Sequence, residues 1–106
     1  MPRIICIDAD AHRSEEPVSV LRSAGYEVMV AFSPEVGMAL LRLFPPDIVL
    51  LDSGFADKLA QRIHQACPTV PVIMTGEKPV SVEEVRFLTS HQRALAQAQS
   101  ASHLAH

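Results

Sequence analysis

Cysteine is scarce in this chain. Cys6 and Cys67 are the only two in 106 residues, too few for a disulfide framework and without the spacing of metal-binding thiols. Cys6 stands in an apolar run and reads as a small buried hydrophobe. Long hydrophobic stretches are also missing. The first apolar run, Ile4-Ile5-Cys6-Ile7, ends at Asp8, far short of a signal-peptide core or a membrane span. Basic clusters are absent as well: 9 Lys and Arg lie scattered among 12 Asp and Glu, for a net charge of −3. The electrostatic footprint that nucleic-acid binding needs is therefore lacking. No repeat or low-complexity segment occurs. These absences argue against a disulfide scaffold, a membrane protein and a direct nucleic-acid binder, and they fit a reducing cytoplasm.

What the chain does have is an ordinary globular composition, 48% hydrophobic and 20% charged, and a length suited to one domain with one modest core. Four short apolar runs recur: Ile4 to Ile7, Val28 to Phe32, Asp47 to Leu51 and Val70 to Met74. They are rich in Ile and Val and nearly continuous, as parallel strands covered on both faces are. Helical segments separate them. The first is expected to begin near Ser14, with Glu15, Glu16 and Pro17 in its opening turn, Val18, Leu21 and Ala24 as its apolar stripe, and Gly25 closing it. The second has Ser33 as N-cap and Pro34 at its first position. Its apolar face is read as Val36, Leu40, Leu43 and Phe44, and Pro45-Pro46 ends it. A third runs from about Phe55 to Cys67, with Phe55, Leu59, Ile63 and Ala66 on one side and Pro68 as its stop. The fourth starts at Ser81, with Glu84 completing a capping box and Val85, Leu88 and Leu95 toward the core. Residues 1–99 form the expected domain, and 100–106 an expected frayed tail.

Alternation of this kind implies an α/β fold: an open, flavodoxin-like parallel sheet of order 2-1-3-4 with helices on both faces and the fifth strand missing. In such sheets ligands bind beyond the carboxyl ends of the strands, between strands 1 and 3. The residues there are Asp8-Ala9-Asp10 after strand 1, Asp52-Ser53-Gly54 after strand 3 and Thr75-Gly76 after strand 4. Three carboxylates on one rim call for a cation, and all-oxygen ligands suit Mg²⁺. Asp52, alone behind four apolar residues, is placed to act as a nucleophile that forms an aspartyl-phosphate. Thr75 offers a hydroxyl to a phosphoryl oxygen. Each residue also has a plainer reading: Asp10 sits where an N-cap would, and Thr75-Gly76 is an ordinary strand-ending turn.

Taken as a set, these residues resemble the receiver domain of two-component signalling. The resemblance runs from Pro2 to about Thr75. It is carried by Ile4-Ile5-Cys6-Ile7-Asp8-Ala9-Asp10, Gly25-Tyr26-Glu27-Val28, Pro46-Asp47-Ile48-Val49-Leu50-Leu51-Asp52 and Pro71-Val72-Ile73-Met74-Thr75-Gly76. It implies Asp52 as phosphoacceptor, Asp8 as one of the acids around Mg²⁺, Thr75 as the switch hydroxyl, and a histidine kinase or other signalling protein as partner. Asp8, Asp10 and Asp52 are the expected metal ligands. Some residues depart from the family pattern. Ala9 stands where the family has a second acid, so the Mg²⁺ site is weakened. Asp10 matches a flanking position. The loop after Asp52 is short, and the lysine-proline pair, Lys78-Pro79, lies only three residues past Thr75 and is read as a chance match. The fifth strand and last helix of the family are expected to be truncated or replaced.

Two functions follow. One is a receiver that takes a phosphoryl group on Asp52. The other is a degenerate receiver that works as a phosphorylation-independent interaction module, its Asp52 vestigial. Neither is an enzyme with a turnover of its own. A remote third reading is a cobalamin-binding flavodoxin-like domain, because Asp10-Ala11-His12 resembles that family's aspartate-x-histidine. Glu15, however, stands where its glycine belongs. With no fifth strand, strand 4 becomes a sheet edge, and edges invite pairing. Either the last helix covers it or two chains form a homodimer there.

Overall fold

The computed structural model describes residues 1–76 and 80–90, with the backbone alone at 56–58. Lys78, Leu95, the expected boundary at residue 99 and the tail at 100–106 lie outside the described residues. The elements run β1 (Arg3–Ile7), α1 (Ala11–Ser23), β2 (Glu27–Ala31), α2 (Pro34–Leu43), β3 (Ile48–Asp52), a 3-10 turn (Ser53–Phe55), α3 (Ala56–Ala66) and β4 (Val72–Thr75). A further helix, α4, covers residues 82–90. All strand pairings are parallel, and the sheet order is β2-β1-β3-β4, the expected order for a flavodoxin-like sheet.

Strand pleating divides the core in two. Ile4 and Cys6 of β1 and Ile48 and Leu50 of β3 face Val18 and Leu21 of α1, with Tyr26, Val28 and Val85 of α4. Ile5, Ile7, Val49 and Leu51 face the other way, onto Met38 and Leu41 of α2 and Leu59 and Ile63 of α3. The continuous runs of β1 and β3 are therefore strands buried on both faces, while β2 and β4 are only partly buried. Capping sets the helix starts. The Ser33 hydroxyl accepts the Val36 N–H, and Pro34 occupies the first turn of α2. The Ser81 hydroxyl accepts the Glu84 N–H ahead of α4. Gly25, with φ +97°, follows the last turn of α1 in a backbone conformation other residues adopt only with strain.

Two expectations are corrected. First, α1 begins at Ala11 rather than near Ser14, and Pro17 lies inside it. The cap at Asp10 fixes that start, and Pro17 falls on the second turn, where its missing N–H forfeits one helical bond. Second, α2 buries Gly37, Met38 and Leu41, whereas Val36 and Leu43 are 49% and 70% exposed. The segment is apolar on two sides, and close approach decides between them. A Cβ on Gly37 would lie 2.6 Å from Cδ1 of Ile7 and 2.9 Å from its Cγ1, so only the glycine face can sit this near β1.

Candidate functional site

Because every strand is parallel, β1, β3 and β4 end on one rim. Asp52 is the last residue of β3 and pairs in register with Thr75, the last of β4. Asp8 follows Ile7, whose partner on β3 is Leu51. The rim expected from sequence is thus assembled: Asp8, Asp52 and Thr75 stand at three adjacent strand ends. Both carboxylates are nearly closed off, with side chains 5% and 9% exposed.

One residue that the sequence did not single out joins them. Arg13, in the first turn of α1, donates from Nη2 to Oδ1 of Asp8 at 2.8 Å and to Oδ2 of Asp52 at 2.7 Å. Its Nε adds a longer bond, 3.4 Å, to Oδ2 of Asp8. Side chains in a helix lean toward its N-terminus, which aims residue 13 back at the rim once the helix begins at Ala11. With the start placed near Ser14, Arg13 would belong to the loop and carry no such direction. The N-cap spacing from Asp10 was the available signal.

Asp10 is put to another use. Its Oδ1 accepts the N–H groups of His12 and Arg13 at 3.0 and 3.2 Å, the ordinary work of an N-cap. Its own N–H donates to Oδ1 of Asp8. Of the three acids expected to share a cation, then, Asp8 and Asp52 converge, while Asp10 caps α1 at the surface. His12 points into solvent, 94% exposed beside Glu15, away from the rim.

Charge and burial compete at Asp8. Burial pushes its carboxyl up, but the Arg13 hydrogen bond, the Asp10 amide and the Arg13 charge outweigh this and hold it below the usual carboxylate range. The Asp8 hydrogen bond in turn raises Arg13. Cys6, on the strand just below, is pushed up to about 11 by burial and by the charges of Asp8 and Asp52. That thiol stays neutral and inert near neutral pH.

The second oxygen of Asp52, Oδ1, receives the Gly54 N–H at 3.4 Å. Gly76 closes over this side: a Cβ there would lie 3.4 Å from Oδ1 of Asp52 and 2.9 Å from the Ser53 hydroxyl, and its φ is +115°. Beside the rim opens a cavity of about 450 Å³, with Cys6, Leu50, Val20 and Val80 as its apolar walls and Asp8, Arg13 and Thr75 at its polar end.

The donor set does not fit a divalent cation as it stands. Mg²⁺ asks for near-octahedral oxygen ligands at about 2.1 Å, and a guanidinium nitrogen already occupies the space between the Asp8 and Asp52 oxygens. Ala9 offers no side-chain ligand, and among the described residues no three His, Cys, Asp or Glu side chains are grouped to hold a metal. No helix among the described residues is long and apolar enough to cross a membrane.

No family model matches the sequence, and no curated protein matches it. Solved structures do. The fold is similar to that of a response regulator receiver domain protein (CheY-like) from Methanospirillum hungatei JF-1, with a TM-score of 0.76 and 20% identity over 89% of this chain and 98% of that one. The N-terminal domain of a response regulator receiver protein from Methanoculleus marisnigri JR1 is 31% identical, with a TM-score of 0.65, over 79% of this chain and 73% of that one. The receiver domain of the hybrid histidine kinase CckA gives a TM-score of 0.64 at 20% identity over 85% of this chain and 97% of its own.

Proposed function

The chain belongs to the response-regulator receiver family, and on that footing we propose that it serves two-component signalling as a protein-interaction module that works without phosphoryl transfer. Receiver domains interact with histidine kinases and other signalling proteins, and the partner class proposed here is the same. The observation that carries the reading is the Arg13 guanidinium, bonded at once to Asp8 and Asp52. Phosphoryl transfer to a carboxylate needs a free nucleophilic oxygen and cations on the phosphoryl oxygens. Here Oδ2 of Asp52 is held by Arg13 and Oδ1 faces the Gly54 amide and the Gly76 backbone. The signalling state would then be the shape of the fold itself, with Arg13 tying α1 to the end of β3.

A second reading has Asp52 as a working phosphoacceptor and Thr75 as its switch hydroxyl. It is favoured by the register that sets Thr75 beside Asp52 and by the 47% exposure of the Arg13 side chain, which leaves Arg13 room to swing out. Incubation with acetyl phosphate and Mg²⁺, followed by intact mass, separates the two. The interaction-module reading expects no gain in mass. A gain of one phosphoryl group, lost in Asp52→Asn, would establish the second reading instead.

Partnering through β4 is also proposed. No strand among the described residues pairs with its outer side, Met74 is 47% exposed, and Val82, Val85 and Leu88 of α4 pack on the α1 face rather than along that edge. An exposed apolar edge favours pairing with a second copy. Light scattering at rising concentration should show the mass approaching that of a dimer, and a monomer throughout would defeat the idea.

A further inference from the structure

We infer that the Arg13 guanidinium stands in the place a divalent cation takes in a receiver rim, so that this domain carries its own cation and keeps Mg²⁺ out until Arg13 leaves. The inference deepens the reading of the rim given above and rests on it for the identity of the displaced ion. Its geometric basis is the single nitrogen, Nη2, within 2.8 Å of Asp8 Oδ1 and 2.7 Å of Asp52 Oδ2. A metal bridging those oxygens would need the same space.

Three further features hold Arg13 there. Its backbone N–H is bound by the Asp10 cap, which fixes the first turn of α1. Its Nε makes a second contact with Asp8, so the planar group is held at two points. Finally, the position beside Asp8 that would add another acid is Ala9, leaving only two carboxylates at the rim to be neutralised. A guanidinium cannot be deprotonated at working pH, so the cation is permanent. Removing it leaves two almost fully buried carboxylates facing each other, which is an incentive for Mg²⁺ to enter.

The competition can be stated as an occupancy. Mg²⁺ binds only the fraction of molecules in which Arg13 is out. If that fraction is below a tenth, wild-type affinity is weakened by about tenfold or more relative to a chain without the guanidinium. A merely structural clamp, by contrast, would change stability without changing metal affinity.

The test is a titration of the full ¹⁵N-labelled chain with MgCl₂ at constant ionic strength, following the amides of residues 8, 52 and 54 and the Arg13 Nε–H by NMR. Wild type should show no saturable shift through the millimolar range. Arg13→Met, which keeps the aliphatic stem, should gain saturable Mg²⁺ binding at least about tenfold tighter than wild type, and Asp52→Asn in that background should remove it. If Arg13→Met does not fold, Arg13→Gln, which keeps donors but no charge, carries the same expectation. Wild-type Mg²⁺ binding that leaves the Arg13 Nε–H unmoved, or that is as tight as in Arg13→Met, overturns the inference, as does a folded Arg13 variant that ignores Mg²⁺. The titration reads occupancy and the acetyl phosphate experiment reads chemistry. A wild type that binds Mg²⁺ as tightly as Arg13→Met yet gains no mass sinks only the inference; one that gains mass without binding Mg²⁺ sinks only the interaction-module reading.

Discussion

Asp10 provides a measurable test of how this rim is built, because a cap and a metal ligand respond differently to the same substitutions. Its Oδ1 accepts two backbone N–H groups, from His12 and Arg13, so Asp10→Ala leaves two first-turn donors without a protein partner. Loss of an N-cap of this kind costs about 1 kcal/mol. With a urea m-value of about 2 kcal/mol/M, the midpoint should fall by about 0.5 M, and melting should drop by about 5 °C. Asp10→Asn keeps an oxygen in the same place and loses only the favourable charge at the helix N-terminus, about 0.3–0.5 kcal/mol at low salt. The expected order is therefore wild type, then Asn, then Ala, with the Asn deficit shrinking as salt is added.

Urea unfolding followed by circular dichroism, at low and high salt, reads both differences at unchanged m. If Asp10 served chiefly as a metal ligand, the order would change. Asn and Ala would lose about equally, and Mg²⁺ would stabilise wild type but neither variant. That pattern, or an Asp10→Ala protein as stable as wild type, refutes the cap as the reason α1 starts where it does.

Other consequences concern charge, thiols and the last helix. Asp8 sits below the usual carboxylate range, so it stabilises the fold above its unfolded value of about 3.9, and that contribution is lost as pH falls through the lowered folded value. In Arg13→Met burial acts on Asp8 with only the Asp10 amide to oppose it, so a ¹³C titration should find its carboxyl higher than in wild type; an unchanged or lower value contradicts the ion pair. Cys6, buried and pushed up to about 11, should resist iodoacetamide at pH 8 in the native state while the partly exposed Cys67 reacts. Mass after digestion decides this, and early labelling of Cys6 would show that β1 opens readily. Val85, fully buried in the α1-side core, should cost about 2 kcal/mol on replacement by Ala. A change near zero in urea unfolding would mean that α4 is not integral to the fold.

Much of the architecture was legible because it rests on local signals that agree with one another. Short Ile- and Val-rich runs bounded by turn signals suit strands of a covered parallel sheet, and Ser33-Pro34 and Ser81 are capping signals with a direct mechanism. The sheet order follows once alternation is recognised, and with it the meeting of Asp8, Asp52 and Thr75. What was not legible depended on choices that local pattern leaves degenerate. Along α2, Val36, Leu40 and Leu43 repeat at helical spacing as well as Gly37, Met38 and Leu41 do, yet of the first set only Leu40 packs against the core. Only the nearness of Ile7 to Gly37 tells the faces apart, and that is a tertiary fact.

Arg13 was hidden by a shift of three residues. Glutamates and a proline at 15–17 make a plausible first turn, and a helix drawn from there turns residue 13 into loop. Asp10 makes an equally good cap, and a start at Ala11 tolerates Pro17 at the loss of one backbone bond. The compensation lies at the rim: starting early brings a cation to two buried carboxylates that would otherwise repel each other, and breaking up such a group leaves charge buried without a partner. The acids at positions 8 and 52 and the early start of α1 are thus one feature rather than two. A sequence of this family with an acid missing after strand 1 should therefore be searched for a basic residue three positions beyond the helix cap before a metal is assigned to it.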